Sequence, residues 1–270
     1  MNIHELVKNG VGKEELEQNL LDLDAEFHFK CRRCGKCCKH QDTILFNARD
    51  IYNIAKKLGK TPDVVVKECA EVYIGHSSRI PVVHMVPVGP RRLCPLLLED
   101  GRCGVHDCKP TVCALYPVGR VALFDHIVPG DEITRDKIKI KYIINDIDCG
   151  SAKRVNTIRD WLARFNIPEV DDFFIHWTEI TALMGQMARK LEERNCSEKF
   201  MDFIWSNIFR LLYLNYDTEQ EFMPQFEDNV SKLKAVYQTI KQVEDHFDGR
   251  EPMPPELLEL IMGKKESSNG

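Results

Sequence analysis

Residues 31–40 read CRRCGKCCKH, so that four cysteines fall within eight consecutive positions. We call them the first cysteine cluster: Cys31, Cys34, Cys37 and Cys38. A second cysteine cluster lies further along the chain and has these members: Cys94, Cys103, Cys108 and Cys113. Random burial of small side chains would not produce two such groups. The clustered thiols are therefore predicted to share a chemical task.

The composition places the chain among soluble folded proteins and sets limits on its partners. It has 270 residues, of which 43% are hydrophobic and 29% charged, with a formal net charge of −5. That charge gives no overall attraction to nucleic acid or anionic membrane. No apolar run approaches the ~20 residues of a membrane span, and the polar start lacks a signal-peptide core. We therefore expect a cytoplasmic protein without a membrane partner.

The cysteine count argues against a disulfide framework. Eleven cysteines are present, and an odd number in a chain expected in a reducing compartment is typical of metal-binding or catalytic thiols. Cys69 lies in an apolar helical stripe and is predicted to be a core residue. Cys196, at a predicted helix start, is interpreted as structural, and His84 as a core histidine.

Local patterns predict an α+β fold. Asn47 and Gly59 bracket a helix, and Thr61-Pro62 begins another. Short β-branched runs between residues 79 and 128 predict strands, and DKIKIKYIIND (136–146) predicts a strand with one wet face. Later segments have helical spacing, best seen in the apolar stripe from Phe226 to Phe247.

These patterns divide the chain into an N-terminal cysteine-rich domain with short strands and helices, followed by an all-helical C-terminal region. The predicted boundaries form this series: an N-terminal helix at 1–26, a metal-binding domain at 27–150, a helical region at 151–262 and a disordered tail at 263–270. The helical region is a possible surface for a protein partner.

The spacing of the first cluster is typical of metal ligands. Cys31-x2-Cys34-x2-Cys37 suits either of two chemistries, with Gly35 allowing a tight loop. Zinc takes four thiolate or imidazole ligands, often from C-x2-C pairs. Iron–sulfur clusters use C-x2-C-x2-C and a remote cysteine followed by proline, a role that Cys94-Pro95 fits. Spacing alone leaves both an iron–sulfur cluster and a zinc ion open.

Two further features bear on this interpretation. Side chains of adjacent residues generally diverge, so Cys37 and Cys38 are expected to face different metals, or one of them to lie behind the ligands. Basic residues surround both clusters and are expected to offset the negative charge of the thiolates. They are Lys30, Arg32, Arg33, Lys36, Lys39, Arg91, Arg92, Arg102 and Lys109.

The segments FKCRRCGKCC and CPLLLEDGRCGVHDCKPTVCALYP resemble the YkgJ-type cysteine-cluster family, which is described as zinc- or iron-chelating. The resemblance covers roughly residues 27 to 150, and it extends to Pro110, Tyr116 and Pro117. It implies a set of eight metal ligands: Cys31, Cys34, Cys37, Cys38, Cys94, Cys103, Cys113 and Cys149. Cys108 departs from the family pattern, and it joins His40 and His106 as a secondary candidate.

Three classes of function follow. The first is a metal-binding protein that chelates iron, as an iron–sulfur cluster, or zinc. The second is a structural zinc module that acts as an adaptor for a protein partner or, less favoured, for nucleic acid. The third is a protein-modifying enzyme related to flagellin lysine N-methylase, which shares the cysteine cluster, although no glycine-rich methyl-donor loop is present. No catalytic residue can be assigned from the sequence.

Overall fold

The computed structural model describes residues 19–243 except 33, 40–42, 125–134 and 148. These residues form two compact units. The cysteine-rich unit contains the described residues up to Phe46 together with Met85–His176, and the helical unit contains Asn47–His84 together with the described residues from Trp177 onwards. The sequence pattern instead predicts one boundary near residue 150. The structure groups residues 47–84 with the later helices.

Seven strands are present in the described part of the chain. In order they are β1 (Glu26–Lys30), β2 (Leu45–Phe46), β3 (Ala70–Ile74), β4 (Pro81–Met85), β5 (Val118–Phe124), β6 (Ile138–Ile144) and β7 (Ser151–Thr157). Strands β1 and β7 pair in antiparallel fashion, as do β5 and β6, and β3 neighbours β4. The strand predicted from residues 136–146 is confirmed as β6.

Seven α-helices are present in the described residues, and one of them, at Thr111–Leu115, lies where the sequence predicted strands and loops. They are α1 (Ala48–Leu58), α2 (Pro62–Cys69), α3 (Thr111–Leu115), α4 (Ile158–Ala163), α5 (Asp172–Glu193), α6 (Glu198–Phe209) and α7 (Phe222–Val243). A π-helical turn at Arg210–Leu214 continues α6. No helix within the described residues is both long and apolar enough to cross a membrane. The α+β class is thus confirmed.

The core of the cysteine-rich unit forms around strand β1. Its sequence EFHFK alternates, so that Phe27 and Phe29 are buried while their neighbours are exposed. Both rings make edge-on contacts with Trp161, at centroid distances of 5.6 Å. The Trp161 indole N–H donates to the Leu115 carbonyl at 2.7 Å. This packing anchors β1, and the first cysteine cluster begins at the residue that follows it.

A buried ion pair lies in the same unit. Arg120 on β5 donates to Asp171 at 2.9 Å, and the two side chains are only 4% and 2% exposed. The Arg120 guanidinium also lies over the Phe174 ring at 3.7 Å. Charges taken out of water need such close partners, so this pair fixes β5 relative to the start of α5.

The helical unit follows the sequence signals closely. Asn47 caps α1 through a capping box with Asp50, and Gly59 ends the helix in the left-handed region at φ 61°. Thr61 occupies the N-cap position of α2, and Pro62 is its first residue. The stripe predicted on α7 buries Phe226, Leu233 and Ile240, among others. Cys69 is buried as predicted, at 4% exposure.

Two boundaries differ from the sequence analysis. Residues Ser151–Thr157 were assigned to the helical region, but they form strand β7 because β1 offers them an antiparallel partner. The helix predicted at 1–26 lies partly outside the described residues; from residue 19 onwards the chain contains turns, a bridge between Leu21 and Tyr142, and then β1. The predicted terminal tail at 263–270 also lies outside the described residues.

Candidate metal centre

A 3₁₀ turn forms the centre of the first cysteine cluster. Gly35 precedes it at φ 68°, a left-handed conformation that glycine adopts without strain, and the turn spans Lys36–Cys38. The Cys38 amide donates to the Gly35 carbonyl at 3.0 Å. On this turn the sulfurs of Cys37 and Cys38 lie 4.0 Å apart. Side chains of adjacent residues diverge in a strand, but on this tight turn the side chains of Cys37 and Cys38 lie next to each other.

Backbone hydrogen bonds connect the first cluster to the second. The Cys94 amide donates to the Cys38 carbonyl at 2.9 Å, and Lys39 forms an antiparallel bridge with Leu93. Residues Val88 and Leu93 close a turn through paired hydrogen bonds of 2.7 and 3.0 Å. Cys94 is therefore held directly beside Cys38, although 56 residues separate the two positions in the sequence.

A second turn presents Cys103. Leu97 and Cys103 form an antiparallel bridge, and the chain reverses at Gly101, whose φ is 80°. A Cβ atom placed on Gly35 would lie 3.5 Å from the Gly101 carbonyl oxygen. The turn that carries Cys103 thus contacts the loop of the first cluster.

Electrostatic interactions indicate which thiols lie in the same neighbourhood. The hydrogen bond from Cys37 lowers the pKa of Cys38, while burial and the neighbouring thiols of Cys94, Cys103 and Cys113 act in the opposite direction. The same hydrogen bond, together with burial, raises the pKa of Cys37. Cys113 reaches the group from helix α3. We call these five thiols the central thiol group: Cys37, Cys38, Cys94, Cys103 and Cys113.

The remaining predicted ligands lie elsewhere in the unit. Cys31 and Cys34 are exposed. The Cys149 sulfur lies 3.9 Å from the Tyr116 hydroxyl and packs against the Phe29 core. Among the secondary candidates, Cys108 ends a 3₁₀ turn that begins at the exposed His106. The other secondary candidate, His40, lies outside the described residues.

The side chains are close to one another without forming a finished coordination site. Among the described residues, no three Cys, His, Asp or Glu side chains are arranged to hold a metal ion as they stand. To share one centre, the thiols of the central group would have to turn about their side-chain bonds. Such rotations are small changes for exposed or half-buried cysteines.

The structure relates one of the basic residues to the thiols. The hydrogen bond with Cys38 and burial raise the pKa of Cys37, and the positive charge of Lys109 acts in the opposite direction. Arg102 is exposed and pairs with Asp100 at 2.6 Å. The other described members are exposed on the same loops, and Arg33 lies outside the described residues. They are Lys30, Arg32, Lys36, Lys39, Arg91 and Arg92.

The structure adds one sulfur that the sequence analysis did not single out. The Cys94 thiol donates to the Met85 thioether, with the two sulfurs 3.6 Å apart. Met85 is the last residue of β4 and is 2% exposed. No signal in the sequence could have identified it, because a methionine in an apolar strand is normally a core residue.

Cys69 and His84, which the sequence predicts to be core residues, lie away from the central thiol group. Burial raises the pKa of the Cys69 thiol, which keeps it neutral and poorly reactive. His84 in β4 contacts a carboxylate oxygen of Glu71 at 3.0 Å, and its side chain is 14% exposed. Both lie in the helical unit, and neither belongs to the central thiol group.

Comparison with known proteins agrees with this geometry. Residues 30–139 match the model of the CxxCxxCC family, a "putative zinc- or iron-chelating domain". This match agrees with the resemblance that the cysteine pattern indicated, and it makes residues 30–139 similar to the domain of that family. The match includes the central thiol group but ends before Cys149. No curated protein and no solved structure matches the chain.

Proposed function

We propose that the cysteine-rich unit binds iron as an iron–sulfur cluster through the central thiol group, with zinc as the alternative metal. The observation that carries this proposal is the backbone hydrogen bond from the Cys94 amide to the Cys38 carbonyl, which brings the two cysteine clusters side by side; the charges of Cys94, Cys103 and Cys113 act on the Cys38 thiol, which supports their nearness. Four thiolates are a complete ligand set for either centre. The similarity of residues 30–139 to a metal-chelating family supports the same conclusion.

The chemistry of the donor set fits such a centre. All of its members are sulfur donors, which select iron–sulfur clusters or zinc over hard cations. Four thiolates around a divalent ion leave about two negative charges that need nearby cations or amide donors. Lys109 acts on Cys37, and the exposed basic residues of the loops add to the positive field.

Each part of the chain has a definite task in this proposal. The turn at Gly35 presents Cys37 and Cys38 together, and the bond between the Cys94 amide and the Cys38 carbonyl brings the second cluster to the first. Cys31 and Cys34 are further candidates, as they belong to the same exposed loop. Cys149 is the weakest candidate because it packs against Tyr116. A bound iron–sulfur cluster would supply one-electron chemistry.

The first experiment is purification of the untagged full chain without oxygen, followed by metal analysis and an absorption spectrum on one sample. Iron with labile sulfide and a broad band near ~400 nm is the expected result for thiolate-bound clusters. Stoichiometric zinc without colour would favour the alternative metal. A protein that retains neither metal, even after reconstitution, would refute the proposal.

Variants then test the ligand assignment. Cys38→Ser removes the thiol that interacts with the other four members of the central thiol group. It should therefore abolish or strongly reduce the metal content. Cys69→Ala is the matched control because Cys69 is a buried cysteine of the other unit. Equal metal content in wild type and Cys38→Ser would contradict the assignment.

A second candidate function is that of a structural zinc module which binds an acidic protein. Exposed apolar side chains support it, since Val88 and Leu98 are 47% and 50% exposed on the two turns that carry Arg92 and Arg102. Mixed apolar and basic surfaces suit a protein partner better than single-stranded nucleic acid, which requires exposed aromatic rings. Binding that weakens steeply with salt and needs Leu98 would support this function, and colour with redox activity would oppose it.

The relationship to flagellin lysine N-methylase stays a prediction, as does the cytoplasmic location. A partner bound through the helical region is likewise untested. Methylation of a lysine by the purified chain would be the direct test of the enzymatic alternative.

A further inference from the structure

Strand β3 lies at the edge of its sheet. It pairs with β4 on one side, and within the described chain no other strand pairs with it. None of its residues is buried, and Val72 and Tyr73 at its centre are 42% and 45% exposed. The unpaired side of an edge strand presents a row of backbone N–H and C=O groups that another strand can bind.

This edge lacks the features with which proteins usually prevent strand pairing. Such features include prolines, lysines and β-bulges, and the sequence AEVYI of β3 contains neither proline nor lysine. Strand β7, by contrast, carries Lys153 and Arg154 where its register with β1 is irregular. The one charged residue of β3, Glu71, contacts His84 on the neighbouring β4 at 3.0 Å. The edge of β3 is therefore accessible to a further strand.

The turn that joins β3 to β4 is fixed by several hydrogen bonds. Nε of Arg79 donates to Glu192 at 2.8 Å, and the Trp205 indole N–H donates to the Arg79 carbonyl at 3.0 Å. The Arg189 guanidinium donates to the Ser77 carbonyl at 2.6 Å. All five residues belong to the helical unit. The strand is thus held in place before a partner binds, which lowers the entropy cost of pairing.

The sequence of β3 is complementary to itself in antiparallel pairing. When a two-fold axis passes beside Val72, this residue faces Val72 of a second copy, and Glu71 of each copy faces Tyr73 of the other. The Tyr73 hydroxyl has no hydrogen-bond partner among the described residues, while the Glu71 carboxylate uses one oxygen for His84. The pairing therefore offers the tyrosine hydroxyl an acceptor, and it places no like charges opposite each other.

We propose that two copies of this chain associate through β3, which pairs in antiparallel fashion with β3 of the second copy about Val72. A symmetric interface of this kind closes on itself and yields a dimer. The inference goes beyond metal binding and does not rest on it, because β3 lies in the helical unit. Five residues on each strand are fewer than the about 20–30 residues a side of a standard interface. We therefore expect a weak dimer, with a dissociation constant in the micromolar range or above.

A short edge strand that only water covers is the competing explanation, and it predicts a monomer at every concentration. Sedimentation of the full-length protein between about 1 and 500 µM, with reductant and without oxygen, separates the two explanations. These conditions prevent association through disulfides. A dimer fraction that rises with concentration is the expected result. A protein that stays monomeric over the whole range would overturn the inference.

Substitutions then show whether β3 forms the interface. Val72→Lys places two lysines opposite each other, so it should raise the dissociation constant of the dimer about tenfold or more. Leu58→Lys is the matched control, because Leu58 is 39% exposed in the same unit. Tyr73→Phe removes the hydroxyl that faces Glu71, and it should weaken the dimer by a smaller factor of about three. Equal dissociation constants for wild type and Val72→Lys would overturn the interface, and an unchanged constant for Tyr73→Phe would overturn the register.

Hydrogen exchange of the wild-type protein locates the contact without any variant. Amides of β3 should exchange more slowly in concentrated than in dilute samples, whereas those of β6 in the cysteine-rich unit should not change. Unchanged exchange in β3 while a dimer forms would overturn the inference. The metal content of the same samples tests the proposed function separately, so the failure of one leaves the other standing.

Discussion

Replacement of Gly150 by alanine should strongly destabilise the cysteine-rich unit. Gly150 has φ 73°, and a Cβ atom at this position would lie 2.5 Å from Cε2 of Phe29 and 2.8 Å from the Lys30 carbonyl oxygen. Neither atom can move away easily. The Phe29 ring is held against Trp161 and Tyr116 at centroid distances of 5.6 and 6.0 Å, and Lys30 pairs with Ser151 in the β1–β7 sheet.

Two costs contribute to the expected loss of stability. A left-handed conformation costs an alanine about 1–2 kcal/mol, and forcing an extra methyl group into a packed site costs about 1–3 kcal/mol. The free energy of unfolding should therefore fall by roughly 2–5 kcal/mol. In a chain of this size each kcal/mol lowers the Tm by about 2–4 °C.

Gly89→Ala separates the two costs. Gly89 lies in the same unit at φ 69°, and nothing lies within 4 Å of the Cβ position. It should therefore show only the conformational cost of about 1–2 kcal/mol. Urea unfolding of both variants, with hydrogen exchange of β1 and β7 amides to locate the effect, measures the difference. A Gly150→Ala protein no less stable than Gly89→Ala would refute the steric argument.

Three further predictions address the buried pair, the alkaline limit and the exposed thiols. Asp171→Asn keeps a side-chain oxygen that can accept from the Phe174 amide at the start of α5, but it leaves Arg120 buried without its countercharge, so the free energy of unfolding should fall by about 3–5 kcal/mol. Asp172→Asn, which removes a charge from the exposed Arg135–Asp172 pair, should change it by less than about 1 kcal/mol. Burial raises the pKa of Tyr213, whereas the same hydroxyl in the unfolded chain ionises near pH ~10. Above that pH the unfolded chain loses the proton and the folded chain keeps it, so the free energy of unfolding should fall as the pH rises. Alkaline denaturation should begin later in Tyr213→Phe, and an identical profile would contradict this. Cys34→Ser should lower the metal content, because Cys34 belongs to the C-x2-C pattern of candidate ligands. Unchanged metal content by elemental analysis would exclude Cys34 from the ligands.

The local patterns in the sequence were sufficient for the described helices other than α3 and for several strands. Asn47, Gly59 and Pro62 act within a few residues of their own position, so their effects on α1 and α2 could be predicted without knowledge of the rest of the fold. The alternation in β6 has the same local origin. Strand β7 could not be predicted this way, because its residues become a strand only when β1 supplies hydrogen-bonding partners.

The sequence by itself determined the likeness of residues 30–139 to a cysteine-cluster domain, since spacing and thiol chemistry are properties of the residues alone. The tertiary structure decided where these thiols lie. Cys94 reaches Cys38 through a backbone hydrogen bond, while Cys149 lies against Tyr116. It also placed the Met85 sulfur beside the Cys94 thiol, nine residues further along the chain. Ligand types are written in the sequence, but distances between sulfurs depend on packing across many residues.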